Sequence, residues 1–309
     1  MNKHQETTEI VHLGREAVVL RSVAMIRSLL YVPMREAAPR SAKRFAFGQN
    51  WRRFIEDVDE RRIQEAERSL SSMLGLTDLR GRSFLDIGCG SGLSSLAAAR
   101  LGAGPLLSID YDPESVAATC EIKRRFLPDA DWAIEHGDVT DASLLAAIGT
   151  YDVVYAWGSL HHTGAMWTAI ENTVGRAAPS GLVYLALYTT DRHSDSWVVR
   201  KRRYNLASRG VKRLMEARFV LANALLPDLL RLRNPLRRFR EHKNGRGMAY
   251  LTDVRDWLGG YPFEHARIEE VLRFGRDRFG LVLENIATGE ANTEYLFRKP
   301  APGDTSTGA

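Results

Sequence analysis

The stretch FLDIGCGSG, Phe84 to Gly92, decides the fold of this 309-residue chain. A short apolar run, three alternating glycines and then LSSLAAAR read as a buried strand, a tight turn and a helix. Glycine turns of this kind commonly cradle phosphate on bare N–H groups at a helix N-terminus. Here Asp86 stands two residues before the first glycine, and its carboxylate would repel a phosphate, so the turn points to a ligand that carries positive charge. The spacing Gly88-x-Gly90-x-Gly92 is not the dinucleotide fingerprint, which needs a glycine where Leu93 stands. No Gly-Lys-Ser/Thr closes it, so it is not a P-loop either.

Strands and helices alternate outward from that turn. LLSID, WAIEH, YDVVYAW and LVYLALY read as four more strands. Between the first two lies DPESVAATCEIKRRF, a helix with Asp112 as N-cap and Pro113 at its first position. AMWTAIENTVGRAA is an amphipathic helix that should stop before Pro179. After a break, ARIEEVLRFGRDRF is another helix, and LVLENI and TEYLFRK form an antiparallel hairpin. The expectation is an α/β fold: a doubly wound, Rossmann-like seven-stranded sheet with an antiparallel last strand, an N-terminal helical lid and a mainly helical cap insertion. Its expected organisation is a helical segment and lid over 1–80, a core over 81–190 and 266–299, a basic cap over 191–265 and a disordered tail over 300–309.

Bulk composition is that of a globular protein, 44% apolar and 26% charged. Two cysteines, Cys89 and Cys120, build neither a disulfide framework nor a zinc site. Apolar runs are interrupted well before the roughly 20 residues that span a bilayer, and the polar N-terminus MNKHQETTEIVH does not read as a secretory signal. The expected location is the cytoplasm. Net charge is +5, but residues 191–250 hold 16 Lys or Arg against 5 Asp or Glu, which leaves the rest of the chain net acidic. That asymmetry points to an anionic partner or to a solvated helical face.

The strand–Asp-x-Gly-x-Gly-x-Gly–helix motif resembles the first motif of class I S-adenosylmethionine-dependent methyltransferases, loosely those of the ubiquinone pathway and of a bacterial small-molecule and glycan subgroup. The resemblance implies S-adenosyl-L-methionine as cofactor, wrapped by Gly88, Gly90 and Gly92, with Asp86 near its ammonium group. Asp110, at the end of the second strand, can accept both ribose hydroxyls, as acids do in dinucleotide enzymes. By the same resemblance Tyr111 lies against the adenine, Asp138 with Val139 meets its amino group, and Trp157 belongs to the crevice at the strand ends. An N-terminal lid over the cofactor is implied too, with Phe47, Asn50 and Trp51 from RFAFGQNWRRF as its residues; aromatic faces suit a sulfonium.

The stretch after the fourth strand, AWGSLHHTG, carries no Asn/Asp-Pro-Pro-Tyr motif. It does place His161 and His162 at the expected mouth of the pocket. An imidazole can take a proton from an attacking hydroxyl, so one of the two is the expected base of an O-methylation. The ubiquinone-pathway enzymes carry two acids in this loop where Gly158 and His161 stand here, leaving only His162 in register; no metal is expected. Trp257, Tyr261 and Tyr204 are the expected substrate wall, with Asp253 and Asp256 beside them. The expected acceptor is a small molecule, a sugar or a lipid-linked glycan, of anionic character if the basic insert meets it. FVLANALLPDLLRLRNPLRRFR suits a peripheral contact with the inner membrane face. RNA methylation by the basic insert and N-methylation of an amine stay open as alternatives; no recognisable RNA-binding module accompanies the first.

Overall fold

A computed structural model describes residues 45–225, 234, 250–289 and 291–301. Seven strands form one sheet: β1 (Phe84–Ile87), β2 (Leu106–Asp110), β3 (Trp132–His136), β4 (Tyr151–Trp157), β5 (Ala177–Tyr188), β6 (Val282–Thr288) and β7 (Asn292–Arg298). Their order is β3-β2-β1-β4-β5-β7-β6. β1 to β5 run parallel, and β7 slots antiparallel between β5 and β6. The order reverses at β1, which puts the crevice at the carboxyl ends of β1, β2 and β4.

Period-two alternation divides the core. Leu85 and Ile87 of β1 join Val154 and Ala156 of β4 under helices Met166–Gly175 and Ile268–Phe279. Phe84, with Val153 and Tyr155, faces helices Glu60–Leu74, Leu93–Arg100 and Pro113–Phe126 on the other side. Asp86 shares the parity of Phe84, so its carboxylate enters this second face, 1% exposed.

The described helices are α1 (Gly48–Phe54), α2 (Glu60–Leu74), α3 (Leu93–Arg100), α4 (Pro113–Phe126), α5 (Ala142–Ala147), α6 (Met166–Gly175), α7 (Ser194–Leu206), α8 (Arg209–Val220), α9 (Tyr250–Gly259) and α10 (Ile268–Phe279). As expected, Asp112 caps α4, accepting from the Glu114 N–H at 3.0 Å, with Pro113 at the first position. Two elements differ from the sequence reading. α5 is an addition: Asp141 accepts from the N–H groups of Ser143 and Leu144 and starts a helix too short to show periodicity. β5 begins at Ala177 rather than Leu182, because Ala177 pairs with Tyr151 and the chain passes Pro179-Ser180-Gly181 through an irregularity in the ladder.

Among the described residues no helix is long and apolar enough to cross a membrane. Of the run expected to contact a membrane, residues 219–225 and Asn234 are described; the rest of it, the expected N-terminal segment before residue 45 and most of the tail fall outside the described residues.

Candidate functional site

Gly88 and Gly90 shape the turn after β1. Both have positive φ, +77° and +56°. A Cβ on Gly88 would stand 2.2 Å from the Cβ of Ser159, and one on Gly90 would stand 3.1 Å from the Trp51 indole. The turn is therefore squeezed between the loop after β4 and the lid helix α1. Gly92, φ +78°, backs onto Thr119 of α4 and opens α3 instead of facing the crevice.

Asp86 lies beneath this turn, at the head of a buried polar chain. Trp132 Nε1–H donates to Ser108 Oγ at 2.8 Å, Ser108 and Ser95 Oγ are 2.7 Å apart, and Ser95 donates to Asp86 Oδ2. Asp86 Oδ1 is buried and has no hydrogen-bond partner among the described residues. Burial pushes this carboxyl up to about 7, the Ser95 hydrogen bond lowers it, and Asp110 raises it further. An unpartnered buried acceptor is costly and calls for a donor, which a cationic ammonium supplies.

Asp110 fastens the turn. Its Oδ2 accepts from Gly90 N–H at 2.9 Å and its Oδ1 from Asp112 N–H at 2.8 Å. Each oxygen keeps a second lone pair for a hydroxyl donor. Its pKa is raised, mainly by burial and against those two hydrogen bonds.

The lid helix α1 is docked on the N-terminus of α4. Gly48 N–H donates to Asp112 Oδ2 at 2.8 Å, Arg52 pairs with Glu114 at 2.8 Å, and a Cβ on Gly48 would meet Glu114 Cβ at 2.5 Å. Phe45 N–H donates to the Tyr261 carbonyl at 2.9 Å, tying the lid to the segment that returns from the cap. The Phe47 ring lies 5.0 Å from that of His162.

His161 and His162 occupy a single 3₁₀ turn after β4, Leu160–His162. His162 Nδ1 is 2.7 Å from the Pro262 carbonyl oxygen. A carbonyl only accepts, so Nδ1 carries the proton and Nε2 holds a lone pair. His161 has the opposite tautomer. Its Nδ1 accepts from Tyr188 N–H at 3.3 Å, which puts the proton on Nε2; that atom is buried without a partner among the described residues. Both imidazoles are held neutral. Burial lowers His161 well below the usual range, aided by His162 and Lys201, and burial lowers His162 to about 4, with Lys201 adding to it and the Pro262 bond opposing it.

One cavity of about 1040 Å³ joins the glycine turn, Asp110, the residues of α1 and both histidines; Asp86, expected from sequence at the cofactor, does not line it and stays buried beneath the turn. Of the residues expected from sequence, Gly88, Gly90, Asp110, Tyr111, Val139, Trp157, His161, His162, Phe47, Trp51, Trp257 and Tyr261 line it. Asp138 does not: its Oδ1 accepts from the N–H and hydroxyl of Thr140 in its own turn. Asn50 lies on α1 off the cavity wall. Tyr204 is a correction: it is 4% exposed inside the cap, and its hydroxyl donates to Glu216 at 2.7 Å. Its position, i+3 from Lys201 on α7, turns it toward α8 and α9 instead of the cavity. The side chains of Asp253 and Asp256 lie outside what is described.

The lining residues not expected from sequence include Tyr188, Asn292 and Glu294. Tyr188 is the last residue of β5 and pairs with Asn292, while Glu294 pairs with Ala186. The signal was the alternation of β5 and β7, readable only once the sheet order makes those strands neighbours. Among the described residues no His, Cys, Asp and Glu cluster suited to a metal occurs.

This sheet order, with the glycine turn after β1 and a buried acid beneath it, is the Rossmann-like arrangement of class I methyltransferase folds. Residues 85–183, about a third of the chain, match the family described as "Methyltransferase domain". Ribosomal protein L11 methyltransferase of Xanthomonas oryzae pv. oryzae (strain MAFF 311018) is 34% identical over 119 residues, 38% of this chain and 35% of that protein. The corresponding protein of Methylococcus capsulatus is 50% identical over 52 residues, 17% of this chain and 18% of that one. The chain thus matches about a third or less of the length of these relatives. Among solved structures, PKMT2 from Rickettsia typhi in complex with AdoHcy superposes with a TM-score of 0.51 at 14% identity, over 75% of this chain and 52% of that one. That likeness concerns the fold alone.

Proposed function

We propose that this chain transfers the methyl group of S-adenosylmethionine to a hydroxyl of a small-molecule acceptor, with His162 as general base. The observation that carries the reading is the fixed tautomer of His162, whose Nδ1–H is held by Pro262 and whose Nε2 lone pair is left for a proton. Cofactor contacts are assigned to Asp86 Oδ1 for the ammonium, Gly88 and Gly90 for close backbone approach, and Asp110 for the ribose.

When bound, the cofactor supplies a methyl group on a sulfonium that leaves as a neutral thioether. The protein's part is positioning and proton removal. As the acceptor oxygen forms its bond to the methyl carbon, His162 Nε2 takes the hydroxyl proton and becomes the cation. Burial opposes that charge, so the proton passes on to water once the products leave. His161 keeps its proton on Nε2 and serves as a hydrogen-bond donor at the same wall. The docked lid, through Phe47 and Trp51, excludes water from the sulfonium. The names of the L11 methyltransferase relatives concern protein methylation, but they share about a third of their length or less with this chain, and the reading keeps a small acceptor in this aromatic-lined cavity.

Calorimetric titration of the full chain with S-adenosylmethionine, and separately with NAD and ATP, tests the cofactor. Micromolar binding of the first alone is expected; NAD binding in its place would overturn the reading. Screening hydroxylated and aminated acceptors by product mass then tests the methylated atom.

A further inference from the structure

The cavity has two halves, and sheet order separates them. Asp110 ends β2 and lines the half assigned above to the cofactor, with Asp86 of β1 buried beneath the turn. Asn292 and Glu294 belong to β7, beyond β4 and β5, and line the cavity from that side. Asn292 pairs across the sheet with Tyr188, whose ring lies 3.9 Å from the His161 ring and 5.5 Å, edge to face, from that of His162.

The charge on this wall is the reverse of what the basic insert implies. Among the described residues lining the cavity there is no Lys or Arg; the charged ones are Asp110, Asp112 and Glu294. The two aspartates are engaged by backbone N–H groups of their own turns and of the lid. Lys201, the buried cation nearby, is not among the lining residues: its ammonium donates to the Trp257 carbonyl and sits 4.7 Å from the centre of the Phe263 ring, though its charge is felt by His161 and His162. Glu294 is held differently. The hydroxyl of Tyr184 donates to its Oε2, which fixes the carboxylate at the cavity wall. Asn292 Oδ1, two residues before it on the same strand face, is buried without a hydrogen-bond partner among the described residues. Two oxygen acceptors, with aromatic walls from Tyr188, Trp257 and Phe47, make a receptor for a hydrogen-bond-donating cation.

We propose that Glu294 and Asn292 form an acceptor subsite for a protonated amine, so that the acceptor is an amino-bearing aromatic or otherwise planar hydroxyl compound and not a carboxylate or phosphate. This rests on the methyltransferase reading above. The subsite orients the acceptor by its nitrogen, while its hydroxyl meets His162.

Three phenols with the same ring separate the cases: tyramine, 4-ethylphenol and 4-hydroxyphenylacetate. Each is titrated calorimetrically into the full chain loaded with S-adenosylhomocysteine. Tyramine is expected to bind about tenfold or more tighter than the carboxylate analogue, with the neutral phenol between, and Glu294→Gln should collapse that preference to about threefold or less. Equal binding of the three, preference for the carboxylate, absence of binding by all, or a preference that survives Glu294→Gln would overturn the subsite. S-adenosylhomocysteine affinity is measured in parallel and should be unchanged by the substitution. Its loss in Glu294→Gln alone would put Glu294 on the cofactor and overturn the subsite; its absence in the unsubstituted chain would overturn the methyltransferase reading itself. If Glu294→Gln does not fold, as judged by circular dichroism, Asn292→Ala replaces it and is expected to weaken tyramine binding several-fold.

Discussion

His161 and His162 are adjacent in sequence, their rings lie 4.5 Å apart, and they carry their protons on opposite nitrogens. The backbone enforces the difference: a carbonyl, Pro262 O, faces Nδ1 of one, and an amide N–H, from Tyr188, faces Nδ1 of the other. Pro262 belongs to the segment returning from the cap, which is stitched to this turn again by the hydrogen bond from Glu264 N–H to His161 O at 2.9 Å. The segment around Pro262 therefore sets the tautomer of His162, and with it the nitrogen left to serve as the proposed base.

His162→Ala is expected to lower kcat by about 10² to 10⁴ and to leave S-adenosylmethionine affinity within about threefold. His161→Ala should act mainly on KM, with a kcat loss of about tenfold or less. Steady-state kinetics beside calorimetry on both variants checks the split; equal kcat losses would assign the base wrongly.

The pH dependence follows from the same burial. His162 is lowered to about 4 in the folded chain, against an ordinary value near 6.5. It is thus neutral and competent across the neutral range, and the acid limb of kcat should lie near pH 4 to 5 rather than at 6.5. Because the folded value is depressed, the unfolded chain takes up the proton first: stability from this group is full above about pH 6.5 and is lost as pH falls toward 4. Lys201 contributes to the depression, so Lys201→Met should move the acid limb of kcat upward, read from the pH–rate profile.

The sheet and the glycine turn were legible because each rests on local pattern. β1 to β4 are short apolar runs bounded by glycine, proline or acidic turns, and Asp112-Pro113 announces α4. Tyr204 misled because RKRRY advertises charge and an aromatic, while its direction depends on Glu216, in the following helix. Glu294 was silent for the opposite reason. In TEYLFRK it is an ordinary polar position of an edge-like strand, and only the insertion of β7 beside β5 brings it to the cavity. In the basic insert, read as facing an anionic partner or solvent, Lys201 and Arg200 lie over the rings of Trp257 and Trp197, a placement that only the packing of the helices reveals.

Gly88→Ala should abolish cofactor binding with little loss of secondary structure. The new Cβ would fall 2.2 Å from Ser159 Cβ at a φ of +77°, so the turn must open. Calorimetry is expected to show affinity down by more than about tenfold, a shift of over 1.4 kcal/mol, with circular dichroism unchanged. Gly75→Ala, also at positive φ but with nothing within 4 Å of the new Cβ, is the control for backbone strain alone.

Asp86→Asn separates stability from binding. In the folded chain the Asp86 carboxyl is raised to about 7, so the native state binds its proton more readily than the unfolded one, whose value is near 3.9. The group's favourable contribution is present below the unfolded value and is lost as pH rises through 7, where a buried carboxylate must be carried without a partner on Oδ1. The asparagine variant has no charge to bury. At pH 8 and without ligand it is expected to melt several degrees higher than the unsubstituted chain, an effect of at most a few kcal/mol that should shrink toward pH 5. Titration with S-adenosylmethionine at the same pH should show the reverse order if, as proposed, the charge that destabilises the free protein is the one that receives the ammonium. A variant that is both less stable at pH 8 and undiminished in cofactor affinity would remove Asp86 from the binding site.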